Sequence, residues 1–290
     1  MLDILRQELI SLAQLLANHS IKLIIGGGYG LLLRTEFLSN NNSPTLFNQI
    51  PIARSTNDLD IFLSSEIVTS LDKMKTIRMV LNQLGYNPKP GAEFYQFWRP
   101  ITIQEQSRFL KLDFLCPSIN DQNQDLIEQD QRRVRPKSAK KLKKEEKLHA
   151  RKTQEAISLE DYLQSISLNQ NTAVYIPHPF TYLILKLFAI KDHLEQPETK
   201  GKSQHHTFDL YRSVAMLTDE EDQQATLLVQ KYPDVAQEAS NIIQAFFASQ
   251  DSLGTLALRQ YLFENQVKID GNSIENFLSY LHSLFNLIIQ

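Results

Sequence analysis

The run Arg54-Ser-Thr-Asn-Asp58-Leu-Asp60, leading straight into Ile-Phe-Leu, constrains this chain more than any other stretch. It sets two carboxylates two residues apart at the mouth of an apolar run. In a β-strand, residues i and i+2 share a face. Asp58 and Asp60 then project together, while Leu59, Ile61 and Leu63 turn toward a core. Two carboxylates this close repel, and each is driven toward its neutral form. A divalent cation relieves that conflict, and hard oxygen ligands of this kind suit Mg²⁺ held with substrate phosphates. A lone Asp-x-Asp is more often a solvated strand start, so the neighbouring segments decide.

Upstream, Ile21-Lys-Leu-Ile-Ile25 reads as a short buried strand, followed by Gly26-Gly27-Gly28-Tyr29-Gly30 and then a helical pattern through Phe37. Strand, glycine-rich turn and helix together let backbone N–H groups face an anion. The run is neither a dinucleotide fingerprint, whose third glycine is replaced by Leu31 or Leu33, nor a P-loop, which needs Gly-Lys-Ser/Thr. Downstream, Arg108-Phe-Leu-Lys-Leu-Asp113-Phe-Leu alternates as a strand, with Leu110, Leu112 and Phe114 on one face and Lys111 and Asp113 on the other. Three carboxylates on neighbouring strands beside a glycine-rich turn form a two-metal phosphoryl-transfer constellation.

Gly-Gly before a helix, Arg-x-Ser/Thr-x-Asp-Leu-Asp, and a lone Asp on a later strand: this pattern resembles the DNA-polymerase-β-like nucleotidyltransferase superfamily. Within it the chain is most similar to the AbiEii/AbiGii-type family, which includes toxins of type IV toxin–antitoxin systems. That family carries a helical Lys and later an Asp in an Asp-Leu-Tyr-like run. Here His178-Pro-Phe-Thr-Tyr-Leu-Ile-Leu-Lys186 and His205-His206-Thr-Phe-Asp209-Leu-Tyr-Arg supply them. The motifs run from about residue 21 to 215. Two features depart from the pattern. An insertion near Asn40–Pro44, expected as a surface loop, lengthens the path from Gly28 to Asp58, and His205 and His206 stand where Arg or Lys is usual.

The resemblance implies transfer of a nucleoside monophosphate from an NTP, ATP or GTP among the candidates, to an acceptor hydroxyl. A tRNA 3′ end is the acceptor that the toxin members suggest, with a cognate antitoxin as protein partner. Asp58, Asp60 and Asp113 would hold two Mg²⁺ ions, Mn²⁺ being an alternative, and Asp113 is the nearest acceptor for the hydroxyl proton. Gly26, Gly27 and Gly28 would back the triphosphate, with Arg54 or Thr56 on its oxygens. Lys186 would neutralise the leaving pyrophosphate. Asp209 joins the catalytic set on the resemblance alone, or else anchors Arg212 or Lys191. Adjacency argues against joint metal binding by His205 and His206, and Lys200–Ser203 reads as a mobile loop. His178, between two prolines, suits a helix entry; Cys116 suits a packed strand end. The alternatives are the same chemistry on a small molecule or protein side chain, and a non-catalytic RNA-binding relative.

Charge distribution adds a candidate partner. Between Arg132 and Lys152 eleven Lys or Arg stand against two Glu, a local balance of +9 in a chain of net charge −3, which leaves −12 elsewhere. Phosphate backbones bind such runs by releasing counterions, although a solvated helix face or linker is equally usual. No aromatics interrupt the segment, so base stacking is not expected within it. One cysteine excludes an intrachain disulfide and fits a reducing cytoplasm. The acidic N-terminus lacks the bases of a signal peptide, and no run nears the roughly eighteen apolar residues of a membrane span.

The expected fold is therefore α+β. A small mixed-sheet catalytic lobe covers 1–120, a basic connection 121–155 and a mostly helical lobe 156–290. Residues 2–18 and 65–84 read as helices, 93–98 as a strand, and everything past Leu159 as helix except a short strand at Thr172–Ile176.

Overall fold

In the computed structural model, which describes residues 2–54, 56, 58–103, 105–119, 121–130 and 132–286, the chain is α+β. It divides into two units, Met1–Leu33 with Arg54–Pro177, and Arg34–Ala53 with His178–Gln290. Among the described residues no helix is long and apolar enough to cross a membrane.

The first unit is built on one mixed sheet. Its strands are β1 (Ile24–Ile25), β2 (Asp58–Phe62), β3 (Asn87–Pro88), β4 (Gln96–Ile103), β5 (Gln106–Cys116), β6 (Ile127–Asp130), β7 (Arg133–Pro136), β8 (Ala150–Lys152), β9 (Gln164–Asn169) and β10 (Thr172–Ile176). They lie in the order β6-β7-β8-β5-β2-β1-β10-β9, with β4 joining β5 and β3 to β4. Both expected alternations hold: Leu59, Ile61 and Leu63 are buried, as are Leu110, Leu112 and Phe114. Helix α1 (Leu2–Ala17) contributes Leu5, Leu9, Leu12 and Leu16 to the core from one stripe. Helix α2 (Gly27–Asn40) starts immediately after Gly26.

Three segments differ from the reading of the sequence. The helix expected over 65–84 is two, α3 (Ser65–Thr69) and α4 (Leu71–Gln83). Ser70 separates them; it ends the first, and its hydroxyl caps the second by accepting from Lys73 N at 3.3 Å. Gln164–Asn169, expected to be helical, is a strand that buries Ile166 and Leu168 and pairs with β10. The basic stretch is not a connection but carries β7 and β8 of the sheet, and the boundary falls at Pro177 rather than near 155. Val134 and Pro136 turn inward while Arg133 and Arg135 pair across the hairpin with Asp130 and Glu128, directly opposite in register.

The second unit is helical: α5 (Pro179–Glu195), α6 (Ser203–Ala215), α7 (Asp219–Lys231), α8 (Pro233–Phe246), α9 (Leu253–Glu264) and α10 (Ser273–Asn286). Phe180, Leu187, Phe208, Tyr211, Phe247, Phe277 and Leu281 are among its fully buried core. His178 caps α5, its Nδ1 accepting from Phe180 N at 3.1 Å, which is the helix-entry role read from the flanking prolines. The stretch 34–53, which contains the insertion, packs within this unit. Leu46 N donates to Leu217 O at 2.7 Å, and Phe47 packs against the helical core.

Candidate active site

The parallel pairing of β2 with β5 places Asp60 directly opposite Asp113 and Asp58 opposite Lys111. The alternation that buries Leu59 and Leu112 puts Asp58, Asp60 and Asp113 on the other face, all half-buried. Three carboxylates thus share one patch on two neighbouring strands, as the alternation predicted for each strand separately.

The glycine run is the floor of this patch. Antiparallel pairing of β1 with β2 brings Gly26 N to Asp60 O at 2.8 Å. A Cβ on Gly26 would stand 2.4 Å from the Phe62 ring. On Gly27 it would stand 1.8 Å from Asp60 Oδ2, and on Gly28 3.1 Å from an Arg54 guanidinium nitrogen. Phe62, Asp60 and Arg54 therefore cover the three glycines in turn, so closely at Gly26 and Gly27 that a Cβ there would force a neighbour to shift. Gly27 also has φ +59°, the left-handed region that favours glycine. The Asp60 carboxylate lies against the first residue of α2, where the helix dipole favours negative charge. Thr56 is placed differently from expectation. It is buried, and its hydroxyl lies 3.3 Å from Asp58 O and 3.5 Å from Asp58 N, engaged with the strand entrance. Ser55 and Asn57 of the same run lie outside the described residues.

Electrostatics mark Asp113 as the strained member. Burial, then the charge of Asp60 and to a lesser extent that of Asp58, push its carboxyl up to about 6. A hydrogen bond from Gln96, opposite Asp113 on β4, and the charge of Lys89 act against this rise. Lys89 Nζ in turn donates to Gln96 Oε1 at 3.0 Å, so the amide relays a positive charge to the carboxylate. Lys111 Nζ is 3.4 Å from Asp58 Oδ1, an atom that makes no hydrogen bond among the described residues. Gln96 and Lys89 carried no signal in the sequence, because their role depends on register between β4 and β5.

Carboxylate oxygens are the ligand type that a hard divalent cation takes. Among the described residues Asp58 Oδ1 makes no hydrogen bond, and the crowding that raises Asp113 is the conflict a cation relieves. Among the described residues no group of three or more His, Cys, Asp and Glu side chains is arranged so that it could hold a metal ion. Asp58 is instead turned to Lys111.

In the second unit, Lys186 and Asp209 are brought together. Lys186 Nζ donates to Asp209 Oδ2 at 2.8 Å, both side chains being buried, and Ser213 donates to the Asp209 carbonyl. Lys191 pairs with Glu238, and Arg212 donates to Pro51 O and Thr35 Oγ1. His206 stacks on His193 at 5.0 Å and His205 meets the Tyr261 ring edge-on. Cys116 is fully buried, and burial pushes its thiol up to about 12, which suits packing rather than reaction.

Comparison with protein-family models, with curated proteins and with solved structures returned no match.

Proposed function

We propose that the chain is a divalent-metal-dependent nucleotidyltransferase of the kind the AbiEii/AbiGii resemblance implies. The observation that supports it most is the register of Asp60 against Asp113, with Asp58 on the same face and Asp60 seated on Gly27. In the reaction, an acceptor hydroxyl oxygen bonds to the α-phosphorus of an NTP. The α-phosphorus–oxygen bond to pyrophosphate breaks, and the hydroxyl proton leaves to a base. Asp113 is that base in this reading, since its carboxylate lies directly beside Asp60 on the face where the hydroxyl would be bound. Asp58, Asp60 and Asp113 would hold Mg²⁺ or Mn²⁺, which supplies charge neutralisation on the phosphates and acidifies the hydroxyl. Arg54, which lies over Gly28, would meet triphosphate oxygens in this reading. Lys111, once drawn from Asp58, offers a second cation.

The acceptor class divides two readings of the same chemistry. An RNA end, including a tRNA 3′ end, is favoured by exposed Lys141, Lys143, Lys144 and Arg151 in the first unit. A small-molecule or protein hydroxyl is favoured by the loss of other basic residues to internal pairs. Arg133, Arg135 and Lys140 are held by Asp130 and Glu128, and Lys137 lies 3.7 Å from Asp125. A toxin role with an antitoxin partner follows only from the resemblance, and growth arrest that disappears in Asp60→Ala would support it.

The deciding experiment incubates purified chain with Mg²⁺, each α-labelled NTP in turn and total cellular RNA, with Asp58→Ala/Asp60→Ala as control. Label on RNA with one NTP, absent in the control, establishes the reaction and names the nucleotide. Label on RNA that persists in the control sinks the assignment of these carboxylates. Label on protein or small molecules alone selects the second reading.

A further inference from the structure

The face that carries the carboxylates continues along the β4–β5 hairpin into a pair of aromatic rings. Gln96 stands opposite Asp113 and Trp98 opposite Lys111, so Trp98 is one pleat along from the carboxylates on their own face. Phe109 follows, opposite Pro100 and diagonal to Trp98. The two rings stack at 4.8 Å with 23° between their planes. Among the described residues, Asp58 with Lys111 is the end of the β2–β5 pairing. Phe109 is 42% exposed and Gln106 to Phe109 are all open to solvent.

Along this face the order is flat apolar rings, then the Lys111 ammonium, then the carboxylates, over a path of about 13 Å at the rise of an extended strand. A nucleotide presents its parts in the matching order: a flat base, a phosphate that seeks a cation, and the phosphorus or hydroxyl at which transfer occurs. We infer that Trp98 and Phe109 form a stacking platform for a nucleobase, with Lys111 meeting the adjoining phosphate. This rests on the reading of Asp58, Asp60 and Asp113 as a phosphoryl-transfer site. Stacking is tolerant of base identity because every base has a π-face, and alanine at one ring typically weakens binding about 10-fold. The base has two sources, the incoming NTP or the terminal nucleotide of an acceptor strand.

Trp98 is the chain's single tryptophan, so its fluorescence reports on the platform directly. The full chain, without added metal, is titrated with each NTP, with single-stranded oligoadenylate and with inorganic tripolyphosphate. Saturable quenching by NTPs assigns the platform to the donor base, and quenching by the oligonucleotide alone assigns it to the acceptor. Phe109→Ala is expected to weaken the quenching ligand about 10-fold, and Phe109→Tyr, which keeps a ring, to restore it. Asp58→Asn/Asp60→Asn should bind with quenching intact while losing transfer. Quenching by tripolyphosphate as strong as by NTP would mean that phosphate is sensed and not a base, which overturns the platform. So would equal weakening in the Ala and Tyr variants. Transfer activity without any quenching removes the platform and leaves the enzyme reading standing. Quenching in a chain that transfers to no acceptor does the reverse.

Discussion

Asp113 carries an electrostatic cost in the folded chain. Its carboxyl is held up at about 6 against an ordinary 3.8, through burial and the neighbouring Asp60. Between those values the folded chain keeps a proton that the unfolded chain has released, so stability falls as pH rises through this window. Above about pH 6 the whole penalty is present, on the order of 1–3 kcal/mol for a carboxyl raised from 3.8 to about 6. Asp113→Asn is therefore expected to raise the unfolding midpoint at pH 7, to abolish the pH slope between about 4 and 6, and to abolish transfer. Urea unfolding at pH 4 and 7, with and without Mg²⁺, checks this; a variant less stable than wild type at pH 7 contradicts it. Gly27 makes the complementary case. Alanine there meets Asp60 Oδ2 and takes a left-handed φ, which costs about 1–2 kcal/mol of strain. Displacing Asp60 by even an ångström is expected to lower turnover about 100-fold. Gly91→Ala is the control, since Gly91 shares the positive φ but has nothing within 4 Å. It should lose stability and keep turnover.

Helices α5 and α6 meet through the Lys186–Asp209 pair, and its burial decides what a substitution means. Lys186→Met leaves a buried carboxylate without its cation, which typically costs about 3–5 kcal/mol. The double variant Lys186→Met/Asp209→Leu is expected to recover most of that loss, because apolar replacements of a buried pair are often near neutral. Turnover measured in the double variant separates two roles. A folded but inactive protein places the pair in the chemistry; recovered turnover makes it a brace between two helices. At this scale local pattern predicts some elements and misses others. The alternation at Asp58–Leu63 and Arg108–Leu115 is local, and so is the stripe of α1. Ser165-Ile-Ser-Leu168 also alternates, but over a stretch too short to outweigh its helical surroundings. It is a strand because Val174 and its neighbours pair with it.

At the scale of the molecule, the second unit is discontinuous in sequence. Arg212 is fully buried, and its guanidinium donates to Pro51 O at 3.0 Å and to Thr35 Oγ1 at 2.6 Å. Arg34 likewise donates to Met216 O at 2.7 Å and pairs with Glu221. Phe47 packs on Tyr211 at 5.7 Å between ring centroids. A fragment of 178–290 lacks all of these partners, and each buried charged donor left without its acceptor costs about 1–3 kcal/mol. The fragment is expected to show no cooperative thermal transition by circular dichroism. Linking residues 34–53 to it should restore one, and a cooperative transition in the bare fragment would contradict the importance of residues 34–53.

What the sequence determined by itself was whatever depends on neighbours along the chain. That includes the faces of the two acidic strands, the strand–glycine–helix succession, the helix entry at His178 and the inert setting of Cys116. Tertiary structure decided everything that depends on register and long-range pairing. It set Asp60 opposite Asp113, laid Asp60 and Arg54 on Gly27 and Gly28, brought Gln96 and Lys89 to the third carboxylate, and joined Lys186 to Asp209. It also turned a basic stretch that reads as a linker into sheet, because acids on β6 stand across from arginines on β7 only when the hairpin forms. A periodic pattern says which way a side chain points. Which partner it meets is settled only when distant segments pack.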